Sequence, residues 1–189
     1  MITSAQIIQT TPTSIPRIFD QNVELHEFGA ADMLRFDDLV NDIEQIFSRE
    51  ATVRFVPSKW LRSRTEAEAY LQLATLNATC TSDRLFFITD HSTKQVVGVI
   101  DIISPETAKR HYRMDSYMHI IEFYLSADRQ SRGHMSALLP EMLNMLKLQG
   151  IIQLAAVVHR QNFKGSRLLQ RNGFKYQGMF DAEQDLLRI

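Results

Sequence analysis

Three features of the sequence predict a mixed α/β (α+β) fold built around one sheet. Short stretches of alternating apolar residues recur along the chain, separated by stretches with apolar residues at helical spacing. Two of the alternating stretches are joined by a short polar connection of hairpin length, His91 to Lys94, which implies antiparallel neighbours. A length of 189 residues, with 44% hydrophobic and 23% charged residues, suits one domain with a substantial core. We expect that domain to span residues 21–189, behind an extended lead-in over 1–20 that carries Pro12 and Pro16.

Taken in order, Val23 to Phe28 alternates and reads as a first strand. From Ala30 to Phe47, Leu34, Phe36, Leu39, Val40, Ile43, Ile46 and Phe47 recur at helical spacing, as one helix or two short ones. Ser48 to Ser63 mixes arginines, Pro57 and large apolar residues and reads as an ordered loop. Thr65 to Leu76 is a helix, capped by Ser63 or Thr65, with Glu66 and Glu68 in its first turn. Arg84 to Asp90 and Gln95 to Ile103 form the hairpin strands, and 104–116 reads as a charged loop with Lys109, Arg110 and Arg113. A strand from Tyr117 to Leu125, a helix from Arg132 to Leu148 and a buried strand from Ile151 to Val158 follow. A helix over Asn162 to Arg171 and a strand over Phe174 to Phe180 come next, and Asp185 to Ile189 can close the sheet.

Charge and composition exclude several classes of function. With 21 basic and 22 acidic residues the formal net charge is -1, so no overall positive field draws the protein to DNA or an anionic membrane. We therefore expect no direct nucleic-acid binding. No apolar run reaches the roughly 18 residues of a membrane helix, and Met1 to Phe19 lacks the basic start and apolar stretch of a secretory signal. The expectation is a cytoplasmic protein, monomeric or homodimeric. Cys80 is the only cysteine and has no basic neighbour in sequence, and the six histidines form no ligand pattern, so neither a disulfide framework nor a metal is expected.

The informative window runs from 118 to 178. A strand leads into Gln130-Ser131-Arg132-Gly133-His134-Met135-Ser136 and then a helix. The first turn of a helix leaves backbone N–H groups unpaired, and its dipole favours an anion there. Gly133 lets a ligand approach the backbone, while Arg129 and Arg132 add positive charge, so the turn suits phosphate. It is neither a Walker loop nor a dinucleotide fingerprint, because the required glycines and Gly-Lys-Ser/Thr are missing. Downstream, Asn162 is followed eleven residues later by Gly173-Phe174.

These two motifs together resemble the GNAT acetyltransferases. That family's pyrophosphate loop reads Gln/Arg-x-x-Gly-x-Gly/Ala at a helix start. Gln130-Ser131-Arg132-Gly133 matches it, and Met135 departs from the final small residue. The Asn162 to Gly173-Phe174 spacing, with Leu168 and Leu169 between, matches the second signature. The order of elements before residue 100 and the Trp60 to Leu71 stretch are similar to the branch of ribosomal-protein alanine or serine N-acetyltransferases.

The resemblance implies a mostly antiparallel central sheet with helices on both faces, splayed at a β-bulge between the fourth strand (117–125) and the fifth (151–158). It implies acetyl-CoA as acetyl donor and an amine acceptor, such as a protein N-terminus, reacting by direct attack in a ternary complex. Gln130, Ser131, Arg132, Gly133, His134, Met135 and Ser136 would hold the pyrophosphate. The backbone of Phe123, Tyr124 and Leu125 would hold the pantetheine arm, with an N–H near Leu125 facing the thioester oxygen. Asn162 and Ser166 would complete the cofactor site.

The catalytic side chains are left with alternatives. His119 lies near the strand position where some relatives carry a base, Glu122 is its rival on the opposite face by alternation, and no dedicated base is a third option. The tyrosine that many relatives place seven residues after the asparagine is Leu169 here, and the branch's serine position is Gly165, which leaves Ser166 as the nearest hydroxyl. Arg49, Arg54, Arg62 and Arg64 border the region where the family gathers its acceptor; they read as solvated surface or as a dock for an acidic partner. Two other functions compete: an acetyl-CoA-binding regulatory domain with reduced chemistry, and acetylation of polyamines or antibiotics.

Overall fold

The computed structural model describes residues 17–20, 22–114 and 118–189. Most of the expected lead-in, residues 1–16, and Tyr117 at the start of the expected fourth strand lie outside them. Eight strands form one sheet in the order β1-β2-β3-β4-β5-β6-β8-β7, with β1 at Ile18–Phe19, β2 at Val23–Glu27, β3 at Arg84–Asp90 and β4 at Val96–Ile103. The remaining strands are β5 (His119–Leu125), β6 (Leu154–His159), β7 (Lys175–Met179) and β8 (Gln184–Arg188). All neighbours are antiparallel except β5 and β6.

Helices cover both faces. On one, α6 (His134–Leu148) and α7 (Phe163–Arg171) bury Met135, Leu138, Leu139, Met142, Leu146, Leu168 and Leu169 against Ile121, Phe86 and Ile100 of the sheet. On the other, α2 (Phe36–Phe47) and α4 (Arg64–Cys80) pack Leu39, Ile43, Phe47, Ala67 and Leu71 against Leu85, Phe87, Val99 and Tyr124. Burial at roughly 25 cal/mol per Å² of apolar surface is what fixes strand register here, since a one-residue slip would exchange the two faces. Ser63 caps α4, its Oγ accepting from Glu66 N–H at 3.3 Å.

The 30–47 stretch holds two helices, α1 (Ala30–Met33) and α2. Two expected loops are helical instead. Residues 48–63 contain α3 (Glu50–Val53) and a 3₁₀ turn η1 (Pro57–Lys59). Residues 105–112 form α5 (Pro105–Tyr112), whose N-cap Ser104 accepts from Thr107 N–H with proline in the first turn. The closing strand β8 inserts between β6 and β7 rather than forming the edge.

Candidate active site

β5 and β6 run parallel but pair only at His119–Leu154 and Ile120–Ala155, after which they part. On its other side β5 stays paired with β4 as far as Leu125, in unbroken register. The splay therefore comes from divergence of two strands and not from the bulge that the resemblance implies. Ser126 N–H donates to Val97 O at 2.8 Å, so these two residues are a hydrogen-bonded pair of the ladder. Alternation then turns the backbone of Glu122 and Tyr124 toward β4, and that of Phe123 and Leu125 into the gap. Accordingly, Leu125 C=O accepts from Gln130 Nε2 at 3.0 Å instead of from a strand.

The Gln130 loop closes the open end of the gap. A 3₁₀ turn η2 (Ala127–Arg129) leads into Ser131 at φ 61° and Gly133 at φ 91°, the latter as N-cap of α6. A Cβ at Gly133 would meet nothing within 4 Å, so glycine is needed there for its left-handed backbone and not for space. Ser136 and Ala137 N–H turn back to Gly133 O, while the N–H groups of Gly133, His134 and Met135 have no hydrogen-bonded partner among the described residues. Met135, the departure from the motif, sends its side chain into the α6 core, 7% exposed, and not toward the loop. Arg132 is exposed and has no ion-pair partner among the described residues, whereas Arg129 is committed to Asp90 at 2.7 Å. Donors without partners, an open backbone and a free guanidinium fit a diphosphate.

Across the gap, Asn162 caps α7, its Oδ1 accepting from Gly165 N–H at 3.0 Å. A Cβ at position 165 would lie 2.8 Å from Asn162 Nδ2, so Gly165 leaves that cap its room. Ser166 Oγ accepts from Gln170 Nε2 at 3.4 Å, and Leu169 is core, 1% exposed. Lys164 Nζ donates to Ser131 Oγ at 2.8 Å and ties the two helix starts together. Phe55 stacks on His159 at the end of β6, with centroids 5.2 Å apart, so the α3–η1 segment arches over the gap.

The sheet face opposite α6 carries a buried polar network that the sequence did not announce. Glu122 accepts from Tyr112 O–H and, at 2.9 Å, from Tyr124 O–H, and Lys59 Nζ lies 3.0 Å from its Oε2. Asp101, the cross-strand partner of Glu122, is 3.7 Å from the same ammonium. Burial pushes the Glu122 carboxyl up, but Lys59 and the hydrogen bonds from Tyr112, Lys59 and Tyr124 outweigh it and hold Glu122 below the usual range. Burial wins at Asp101: against the pull of Lys59 it titrates near 6. Lys59 itself is held charged, since Glu122 and Asp101 outweigh its desolvation. Tyr70 O–H is buried beside Asp101, and its interaction with that carboxylate offsets a small part of the burial that raises Asp101.

His119 sits elsewhere. It shares the α6 face with Ile121, Phe123 and Leu125, at the end where β5 and β6 are still paired. Six residues of strand put it about 20 Å from Leu125. Its pKa is lowered by burial, partly offset by Glu106 and Asp83. His134 is buried at the start of α6 with its Nδ1 3.1 Å from Asp20. Of the four arginines, Arg64 is tied to Asp37 at 2.6 Å and Glu68 at 3.2 Å, and Arg54 lies over the Phe55 ring. Cys80 is exposed at the last residue of α4.

A family model described as an acetyltransferase (GNAT) domain matches residues 33–175. No curated protein sequence matches the chain. Among solved structures, an acetyltransferase from Salmonella typhimurium that modifies the N-terminal serine of the 50S ribosomal subunit protein L7/L12 is 16% identical. That match covers 90% of this chain and 95% of the other, with a TM-score of 0.65. RimL, a ribosomal L7/L12 α-N-protein acetyltransferase in complex with coenzyme A, is 18% identical, with 93% and 97% coverage and a TM-score of 0.64. The microcin C7 self-immunity acetyltransferase MccE, in complex with acetyl-CoA and AMP, is 14% identical, with 90% and 93% coverage and a TM-score of 0.66. At these identities the likeness is one of fold. No described helix is long and apolar enough to cross a membrane.

Proposed function

The chain belongs to the GNAT acetyltransferases, and from that premise we propose that it moves the acetyl group of acetyl-CoA to a primary α-amine, at the N-terminus of a protein or peptide. The observation that carries this reading is the Glu122 network, an ionised carboxylate on the sheet face opposite α6, on the strand that borders the β5–β6 gap. Acetyl-CoA, when bound, supplies a thioester carbonyl open to attack by an uncharged amine. Gly133, His134 and Met135 N–H with Arg132 would hold its diphosphate, and the Phe123 and Leu125 backbone its pantetheine arm. An N–H of Phe123 or Leu125 aimed into the gap is also suited to stabilising oxygen charge.

The acceptor reaches the gap from the face opposite α6, because α6 fills the other. Glu122 is on the acceptor's face and His119 is not, which favours Glu122 as the group that meets the incoming ammonium. Lys59, Tyr112 and Tyr124 hold Glu122 ionised, and the same contacts make it a weak proton acceptor. A weak base selects an acceptor that is already partly neutral. An α-amine with a pKa of about 7.8 is roughly one-seventh neutral at pH 7, whereas a lysine at about 10.4 is neutral roughly once in 2,500. With Leu169 buried, no side chain on that turn of α7 protonates the leaving thiolate; a thiol of pKa about 8.5 leaves without much help. Ser166 is the nearest hydroxyl on that helix.

Thiol release from acetyl-CoA, measured over peptides with free N-termini, N-blocked lysine peptides, polyamines and aminoglycosides, tests the reading. Free N-termini are expected to react at least tenfold faster than lysine side chains. Glu122→Gln should lower kcat by about 100-fold with little change in KM for acetyl-CoA, and His119→Ala should stay close to wild type. Equal rates on lysine and N-terminal amines would remove the acceptor assignment. Tight acetyl-CoA binding without thiol release on any amine would favour the reduced, regulatory domain.

A further inference from the structure

Two carboxylates and one ammonium meet on the sheet face opposite α6. Glu122 and Asp101 are cross-strand partners, and Lys59 Nζ lies 3.0 Å from Glu122 Oε2 and 3.7 Å from Asp101 Oδ2. Among the described residues no second cation pairs with either carboxylate. The other groups packed on the pair are tyrosines. Tyr112 and Tyr124 donate to Glu122, and Tyr70 lies beside Asp101. Burial and the two carboxylates push all three hydroxyls up, so none carries charge near neutral pH. With Glu122 and Asp101 both ionised, the cluster is one cation short.

From this arrangement we infer that Lys59 is a placeholder for the acceptor's ammonium: it rests on Glu122 until the acceptor arrives and then passes to Asp101, the positioning residue that receives it. The inference rests on the reading that Glu122 meets the acceptor, and it adds what becomes of the cation already there. The two contacts of Lys59 are unequal. At 3.0 Å it makes a charge-assisted hydrogen bond, and at 3.7 Å an ion pair without one. A movement of roughly 1 Å toward Asp101 reverses that order. Two ammonium groups on one carboxylate repel each other, whereas the move gives each cation a carboxylate of its own. Lys59 also has the freedom to move, since its side chain is 29% exposed against 14% for Glu122 and 18% for Asp101. Asp101 is suited to receive it. Burial, with repulsion from Glu122 and Asp83, outweighs Lys59 and Tyr70 and lifts Asp101 to about 6, so at neutral pH it is ionised and short of a close cation. Below that pH it is protonated and cannot take Lys59 over.

Steady-state kinetics on a peptide with a free N-terminus, at saturating acetyl-CoA, test this through a double-mutant cycle. Asp101→Asn keeps the shape of the side chain but leaves Lys59 no second carboxylate. It should raise KM for the peptide about tenfold or more, with kcat within about twofold of wild type. Lys59→Gln removes the placeholder, and in that background Asp101→Asn should change KM by less than about twofold. In wild type, KM for the peptide should fall as pH rises through about 6, apart from any change set by the amine near its own pKa, and Asp101→Asn should lack that step. A side chain that only supports the fold would give the same cost in both backgrounds and no such step. If Lys59→Gln does not fold, the Asp101→Asn KM and its pH profile decide alone. An Asp101→Asn KM equal to wild type, or an equal rise in both backgrounds, overturns the inference. Glu122→Gln tells the two failures apart. If it is slowed while Asp101→Asn leaves KM unchanged, the inference alone falls; if it keeps wild-type kcat, the reading beneath falls and takes the inference with it.

Discussion

Replacing Asp101 by asparagine isolates the cost of the buried carboxylate next to Glu122. In the folded protein Asp101 titrates near 6, because burial outweighs the attraction of Lys59, while in an unfolded chain an aspartate titrates near 3.9. Between those two pH values the folded state binds more protons than the unfolded one, so stability falls as pH rises through that window. Above it, the ionised Asp101 costs about 3 kcal/mol, an order-of-magnitude figure that relaxation and water entry would reduce. Asparagine keeps the shape and removes the charge. Near pH 4 the variant should match wild type, and near pH 8 it should be more stable by about 1–3 kcal/mol. Urea unfolding at several pH values reads this directly, with an unchanged m-value as the check that the unfolded state is the same. If the variant is less stable than wild type near pH 8, the Lys59–Asp101 attraction exceeds the desolvation of the carboxylate and the reasoning fails. A carboxylate that costs stability beside Glu122 is what a functional site predicts.

Lys59→Met leaves Glu122 and Asp101 buried without their cation and should destabilise the fold by about 3–5 kcal/mol near neutral pH, less in acid, by the same denaturation series. Gly98→Ala places a Cβ 2.6 Å from Leu125 Cδ2 and 2.7 Å from Tyr124 O. That backbone oxygen cannot yield without moving β5, so a loss of about 2–3 kcal/mol is expected in thermal unfolding. Gly133→Ala meets open space but must hold φ near 91°, which should cost about 1–2 kcal/mol and raise KM for acetyl-CoA more than it lowers kcat. Because Glu122 is ionised throughout, kcat/KM should rise with pH until the acceptor amine is neutral. The midpoint should move when peptides of different α-amine pKa are compared, and a fixed midpoint would locate the titration in the enzyme.

The cofactor half of the site was legible because it is made of backbone, and backbone geometry leaves marks in the sequence. Gly133 is required by its φ, Asn162 by the cap on α7, and both stand at fixed spacings from their neighbours. The acceptor half was not. Lys59, Asp101, Tyr112 and Glu122 come from η1, β4, α5 and β5, and only strand register brings Asp101 beside Glu122. Alternation does separate His119 from Glu122, but it does not say which face α6 covers, and that decides between them. The helix α5 leaves little periodic signal because its apolar stripe is short; Pro105 and Ala108 are its buried residues, and the charges at Lys109 and Arg110 dominate its composition. The Ser104-Pro105 pair was the available signal, an N-cap followed by a proline that starts a helix. In residues 48–63, helices of one turn each are too short to register as a period.

The two residue pairs that join β5 to β6 have a consequence for the order of events in turnover. Filled by an extended arm, the gap becomes continuous sheet, and the arm itself is then part of the floor on which an acceptor rests. An amine that arrives first meets an open cleft where that floor should be. Turnover should therefore follow a compulsory sequence, with the donor entering first and coenzyme A leaving last. Product inhibition by coenzyme A should accordingly be competitive against acetyl-CoA and not against the peptide.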